Sequence, residues 1–244
     1  MSGCSCETSA GCQDEECECL DQMDPERRRF PYVNDGDREG TLSNAHIDTR
    51  DAIFECNLCC KCGSDCPNKL VQRGRKVPLE IFKTRTRGWG LRCPRDLRKG
   101  DFVDVYRGEI ITEAECRERD SHRMIKDVYT FALDKFHADN PDNPWAQENK
   151  YVVDGEFLGG PTRFINHSCD PNLRQFTVSY HHADPSLYEL AFFAIDAIEA
   201  GTELTFDYVD KDVEEGAVTS SKRMKEGMTR CLCGAENCRR FLWI

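Results

Sequence analysis

Arg163-Phe164-Ile165-Asn166-His167-Ser168-Cys169-Asp170-Pro171-Asn172 is the string on which the fold turns. Taken alone it reads as an Asx-rich turn, with His167 as a satisfied core histidine. Two other strings frame it. Upstream, Arg87-Gly88-Trp89-Gly90 lies between strand-like segments. Its glycines permit close backbone approach to a ligand and its Trp offers a flat stacking surface, although a plain turn has the same look. Downstream, Glu203-Leu204-Thr205-Phe206-Asp207-Tyr208 is by itself only a strand ending in Tyr. The order and company of the three strings say more than any one of them.

Working outward, the cysteines come next: sixteen in 244 residues. Cys4, Cys6, Cys12, Cys17, Cys19, Cys56, Cys60, Cys62 and Cys66 crowd the front, with Cys59 beside them. Cys-x-Cys recurs at Cys4/Cys6, Cys17/Cys19, Cys60/Cys62 and Cys231/Cys233. Cysteines so close rarely bridge each other, whereas thiolates at that spacing converge readily on a tetrahedral metal such as zinc. A disulfide framework is the competing reading, and no signal-peptide pattern supports it. Three zinc ions need twelve sulfur positions, which nine cysteines fill if three of them bridge. Spacing leaves open whether Cys59 or its neighbour Cys60 is the spare. Cys231, Cys233 and Cys238 form a second group that lacks a fourth ligand. Closed all-sulfur sites are structural, so the zinc is not the catalyst.

The chain is 39% hydrophobic and 32% charged, as suits a globular protein. Its longest apolar run, Leu190 to Ile195, is far short of a membrane span, so no membrane partner is expected. A net charge of −11 makes nucleic acid an improbable primary ligand and favours a cationic one. Residues 20–55 are polar and read as a loop between two halves of one metal cluster. From Val77 short strand-like runs appear at Leu79–Lys83, Phe102–Arg107, Val128–Leu133, Tyr151–Val153, Leu173–Tyr180, Tyr188–Ile195 and Glu203–Phe206. One helix starts at Thr112, where Glu115 completes a capping box, and runs to about Ile125. Residues 137–149 read as an exposed loop and 210–230 as a flexible linker. This predicts a β-rich fold of several small sheets and few short helices.

Together, and with Tyr106-x-Gly108-Glu109 added, the strings resemble the SET-domain lysine methyltransferases. The front resembles their pre-SET zinc module and Cys231-x-Cys233-x4-Cys238 their post-SET module. The likeness runs from Cys4 to Trp243 and is strongest to fungal members of the subgroup that methylates lysine 9 of histone H3. It implies a triple-zinc pre-SET module over 1–76, a catalytic SET domain over 77–209, a linker over 210–230 and a post-SET module over 231–244. Arg87, Gly88 and Trp89 would then cradle S-adenosylmethionine, with Tyr151, Arg163, Asn166, His167 and Trp243 completing the pocket. Cys169 would be the missing fourth ligand for Cys231, Cys233 and Cys238, which makes four structural zinc ions in all.

Methyl transfer from a sulfonium to an amine is an in-line displacement and needs the amine neutral. The implied lysine channel is aromatic: Tyr129, Phe206, Tyr208 and Trp243. Tyr208 is the candidate for the key hydroxyl, and the resemblance implies that Phe206, where Tyr could hold an obstructing water or hydroxyl, leaves room for repeated methylation up to trimethyl-lysine. Between Asp127 and Glu156 seven carboxylates face Lys135 and Lys150, and Asp154 is the candidate to meet a basic side chain of the peptide. Expected partners are the histone H3 N-terminal tail and chromatin proteins, in the nucleus, without direct reading of nucleic acid. Lys222 and Lys225 in the linker are candidates to enter the channel in cis. A catalytically silent zinc module that only binds chromatin proteins is the alternative. It has no need of Tyr208, Asn166, His167 or the Gly-Trp-Gly turn, and cofactor binding separates the two.

Overall fold

The computed structural model describes residues 3–6, 12, 17–23, 25–122, 129–138, 151–180, 184, 186–209 and 228–243. Lys222, Lys225 and residues 139–149 of the expected loop lie outside the described residues. The strands in chain order are β1 (Ile53–Phe54), β2 (Glu80–Lys83), β3 (Trp89–Arg92), β4 (Phe102–Val105), β5 (Glu109–Thr112), β6 (Thr130–Leu133) and β7 (Tyr151–Asp154). They continue with β8 (Asn166–His167), β9 (Leu173–Ser179), β10 (Glu189–Ala194), β11 (Glu203–Phe206), β12 (Met228–Arg230) and β13 (Phe241–Trp243). The described strands make four sheets, ordered β1-β9-β10-β4, β2-β3-β11-β8, β5-β7-β6 and β12-β13. The expected β-rich architecture of small sheets is what the chain adopts.

Composition explains where each strand sits. Leu190 to Ala194 is continuously apolar and continuously buried, because β10 lies between β9 and β4. Its side chains and those of β4, β9 and β11 form the main core with Val103, Leu173, Phe192 and Leu204. The described residues hold three α-helices, α1 (Asn44–Thr49), α2 (Glu113–His122) and α3 (Lys135–Ala138). As expected, Thr112 caps α2: its Oγ1 accepts from the Glu115 N–H at 3.2 Å.

Three expectations are corrected. Residues 20–55 are more than a loop: they hold α1 and the buried Leu20, Tyr32, Leu42, Ile47 and Ile53. Most of these pack with Phe102, Phe176, Val178 and Phe193 in a core shared with the catalytic half. Burial of that apolar surface outweighs the polar composition of the segment. Second, Lys135–Ala138 is helical, so the loop cannot begin at 137. Third, the stretch assigned to the linker ends in β12, which pairs with β13. The front module is also stitched in by backbone, since β1 runs parallel to β9 and the Glu55 N–H donates to Ser179 O at 2.9 Å. Glu55 itself is buried, and its carboxylate accepts from Tyr32 Oη (2.6 Å), Val71 N (2.7 Å) and Gln72 N and Nε2.

Candidate active site and metal groups

The three strings meet on one sheet. β11 pairs antiparallel with β3, Leu204 opposite Leu91, and parallel with β8, placing Thr205 beside Asn166 and Phe206 beside His167. Asn172, the last residue of the deciding string, sews the two segments together. Its Nδ2 donates to Glu203 O and its Oδ1 accepts from Thr205 N, both at 2.9 Å. The turn reading of the string holds only for its middle, where Ser168 Oγ accepts from Asp170 N at 3.1 Å.

Glu203 organises the cleft, and sequence reading missed its role. Its Oε2 accepts from Arg87 Nη2 at 2.6 Å and its Oε1 from Asn166 Nδ2 at 2.8 Å. Asn166 Nδ2 also reaches Trp89 O at 3.0 Å, and Arg87 Nη1 donates to His167 O at 2.8 Å. Arg87, Gly88, Trp89, Asn166 and His167 are thus brought together as expected. Gly88 takes a φ of +71°, which turns the chain back toward Thr84. At Gly90 a Cβ would stand 2.8 Å from Glu203 Oε1, so glycine is what lets the turn close on that carboxylate. Trp89 is left 53% exposed at the mouth, with Lys83 Nζ 4.9 Å from its ring centroid.

Below the cleft the aromatic residues converge. Phe206 is buried, with ring centroids 4.9 Å from Phe192, 6.0 Å from Phe131 and 4.7 Å from Tyr208. Tyr208 Oη donates to Ile165 O at 2.7 Å. Burial, and after it the neighbouring Tyr129, raise the Tyr208 phenol above its ordinary pKa, against a smaller opposing pull from Arg87. Tyr129 is fixed by its surroundings. Its carbonyl accepts from Tyr106 Oη (2.8 Å) and Gly155 N (2.9 Å), and the Arg163 guanidinium lies 4.5 Å from its ring. Arg163 spends Nε on Gly155 O and Nη2 on Glu156 O. It therefore clamps a loop and braces Tyr129.

Two expected residues, Tyr151 and Asp154, stand apart. Tyr151 sits at the far end of β7 from Asp154, about 10 Å along the strand, opposite Thr112 and Leu133. No hydrogen bond or ring contact among the described residues joins Tyr151 to Arg163, Asn166, His167 or Trp89. Asp154 is 1% exposed and paired with Arg119 of α2 at 3.1 Å. A buried carboxylate needs such a partner, so its charge is committed within the fold and not turned toward a peptide. Trp243 has its backbone in β13 opposite Met228, and its side chain lies outside the described residues. The loop held by Arg163 instead exposes Phe157 (78%) and Leu158 (64%), an apolar pair whose only sequence signal is its position after a Gly-Glu turn.

The cysteine thiols gather in four groups whose sulfur atoms lie within 4.8 Å of one another. Three groups draw on Cys4, Cys6, Cys12, Cys17, Cys19, Cys56, Cys60 and Cys62, and the fourth is Cys169 with Cys231, Cys233 and Cys238. Cys66 joins the first set, with its Sγ 3.9 Å from that of Cys56. The sulfur separations, such as 3.5 Å for Cys4–Cys12 and 3.9 Å for Cys169–Cys231, are too long for disulfides. They match the edge of a ZnS4 tetrahedron, about 3.8 Å for a 2.3 Å Zn–S bond. Backbone N–H groups aim at the sulfurs, Cys12 N at Cys66 and Arg239 N at Cys169, as thiolate ligands require. Cys59 is exposed and in none of the groups, whereas its neighbour Cys60 is buried and in one.

The fourth group connects directly to the cleft. His167 Nε2 lies 3.3 Å from Cys169 Sγ, and its Nδ1 accepts from Tyr208 N at 3.2 Å. Burial, helped by Arg239 and Arg87 against Asp207, lowers His167 to about 4, which keeps the ring neutral and its Nδ1 an acceptor. Arg239 forms an ion pair with Asp207, the residue before Tyr208.

The comparisons agree with this arrangement. A family model described as the SET domain matches residues 88–209. A histone-lysine N-methyltransferase of Neurospora crassa, H3 lysine-9 specific dim-5, is 45% identical over 99% of this chain and 77% of its own length. The solved structure of the Neurospora SET domain protein DIM-5, a histone lysine methyltransferase, superposes with a TM-score of 0.80 at 46% identity, covering 95% of this chain and 85% of that one. KRYPTONITE, solved with mCHH DNA, an H3(1-15) peptide and SAH, gives 0.72 at 30% identity over all of this chain and 44% of that one.

Proposed function

The chain belongs to the SET-domain family of S-adenosylmethionine-dependent protein-lysine N-methyltransferases, and on that footing we propose that it methylates lysine 9 of histone H3, up to the trimethyl state, in heterochromatin formation in the nucleus. The observation that carries this reading is the convergence of Arg87–Trp89, Asn166–His167 and Phe206–Tyr208 on one sheet. The H3 specificity rests on the relatives, since DIM-5 and its kin are named for it.

Bound S-adenosylmethionine supplies an electrophilic methyl group on a sulfonium. The open cleft between the exposed Trp89 face, Asn166 and the Arg87–Gly90 turn fits it: a flat ring to stack, carboxamide and backbone groups to orient polar ends, and a glycine turn free of side-chain bulk. Tyr129, Phe206 and Tyr208 wall the channel for the lysine stem, and aromatic faces hold the successive methylated ammonium ions by cation–π attraction. Tyr208 orients the amine. Its proton is spent on Ile165 O, so its oxygen presents lone pairs to an amine N–H. Free lysine, with a pKa near 10.4, is neutral in only about one molecule per thousand at pH 7.4. Burial in the apolar channel and a neighbouring cation both lower that pKa. No side chain is assigned as base, and the proton leaves to solvent. In this reading four zinc ions hold the site: three on the nine front cysteines and one on Cys169, Cys231, Cys233 and Cys238, tying residues 231–243 against it.

Phe206 has no hydroxyl with which to hold a water in the space that the later methyl groups need. Mass spectrometry of an H3 tail peptide incubated with the protein and S-adenosylmethionine tests the whole reading. A series ending at trimethyl-lysine 9 is expected, and Phe206→Tyr should stop it at mono- and dimethyl-lysine. No mass shift from zinc-replete protein would refute the assignment.

A further inference from the structure

The chain as a whole is acidic, yet residues 73–99 hold ten Lys and Arg against two carboxylates, Glu80 and Asp96. Four of the ten are paired: Arg75 with Asp104, Arg87 with Glu203, Arg92 with Glu80 and Arg98 with Asp101. Among the described residues no carboxylate pairs with Arg73, Lys76, Lys83, Arg85, Arg95 or Lys99. All of these but Lys99 are exposed.

Their placement is ordered. An open groove of about 640 Å³ separates the front module from the catalytic half, and Arg73, Lys76, Arg95 and Arg98 line it. Its carboxylates are Asp101, already held by Arg98, and Glu39 and Asp65 contributed by the front module. From Val77 the chain leaves the groove along β2, turns at Lys83–Gly88, and returns along β3 to Arg95, with Glu80 opposite Arg92 and Lys83 opposite Trp89. β2 is the outer strand of its sheet. The unpaired cations therefore stand at the two ends of one hairpin: Arg73, Lys76 and Arg95 at the groove and, about 10 Å away along β2, Lys83 and Arg85 at the turn that borders the cofactor cleft.

We propose that these two groups dock the phosphate backbone of duplex DNA and hold a DNA-wrapped histone where its tail reaches the cleft. The second half of this statement rests on the function proposed above. Two groups of unpaired cations spaced along a hairpin match charges that repeat over a distance, as a polyanion presents, whereas a single acidic side chain needs only a pocket. Contacts of this kind are sequence-independent, so the cations position DNA without reading it. The net charge of −11 does not prevent docking, because at physiological salt charges more than about 8 Å away are largely screened and the local cations dominate. Five to six phosphate contacts give a log–log salt slope of about −5, a loss of roughly a thousandfold between 50 and 200 mM salt.

Fluorescence anisotropy of the zinc-loaded protein with a labelled random-sequence 30-base-pair duplex, titrated with salt, tests the proposal. The expected slope is near −5, and Lys76→Glu with Arg95→Glu should flatten it by about 2. The milder Lys76→Gln with Arg95→Gln should weaken binding in the same direction, with unchanged zinc content and thermal unfolding. Neither residue touches the cleft, so the double variant should methylate free H3 peptide at the wild-type rate while losing about tenfold on nucleosomes. Salt-insensitive binding, no binding at 50 mM salt, or a variant with the wild-type slope would each overturn the proposal. Displacement of the DNA-free protein's binding onto polyglutamate, with no affinity for the duplex, would overturn it in favour of an acidic protein partner. A protein that binds DNA yet methylates no peptide would leave the docking site standing and remove the enzymatic reading.

Discussion

Tyr208 has one proton to give and Ile165 O takes it, so in the proposed channel its oxygen serves as an acceptor. Its phenol is held above the ordinary pKa by burial and by Tyr129, and it remains neutral across any practical assay range. The rate should therefore follow deprotonation of the substrate lysine alone. The logarithm of kcat/KM should climb with pH from 7 to 9 without a second inflection from the tyrosine, and a peak near pH 6 would exclude the mechanism. Tyr208→Phe should lose on the order of 10² in kcat, the scale for removing one oriented polar group from a reacting centre, and keep the same pH slope. A loss confined to KM would mean that the hydroxyl only helps to bind. Glu203 shows the limit of reading residues singly. It stands in a quoted string, yet its function lies in bridging Arg87 and Asn166, two residues 79 positions apart in sequence.

Between β11 and β13 the Asp207–Arg239 pair latches the cysteine-bearing tail onto the segment that leaves β11 toward Tyr208. Both side chains are about three-quarters buried, so the pair is less screened than a surface bridge. Asp207→Asn and Arg239→Gln should each lower kcat/KM by about tenfold, and the exchanged pair, Asp207→Arg with Arg239→Asp, should recover part of it. Unchanged zinc content in all three would separate loss of the latch from loss of the metal. At this scale the sequence was legible where a signal is local. The Thr112 cap and the runs at 173–180, 188–195 and 203–206 appear as strands or a helix start within a residue or two. β1, β3, β5, β8, β12 and β13 escaped notice because two to four residues are too few to display a clear alternation. What gathers Asn166 and Phe206 is parallel pairing of distant segments, and no window along the chain contains it. Asp154 misled for a related reason: an acidic residue at a strand end looks free until the helix carrying Arg119 is in place.

Across the whole molecule, cysteine groups able to hold a metal lie in the front and between Cys169 and the tail, and an apolar core is shared by front and catalytic halves. Chelation should accordingly unfold the protein as one unit instead of releasing a metal-free but active centre. Calorimetry with and without a strong chelator should show a single transition falling by many degrees. Cys169→Ala offers the finer cut. It should abolish methyl transfer and release the metal of the fourth group, while elemental analysis still finds that of the front cysteines.

The fourth group also imposes a timetable. Cys169 is translated sixty-two residues before Cys231, and β1 is made more than a hundred residues before its partner β9. A nascent chain on the ribosome can gather its front thiols once Cys66 has emerged, whereas the fourth group stays incomplete until Cys238 has followed. Premature stop products would carry every residue of the cofactor cleft and the channel tyrosines and still be inert, so competence to methylate is delayed until synthesis is nearly finished.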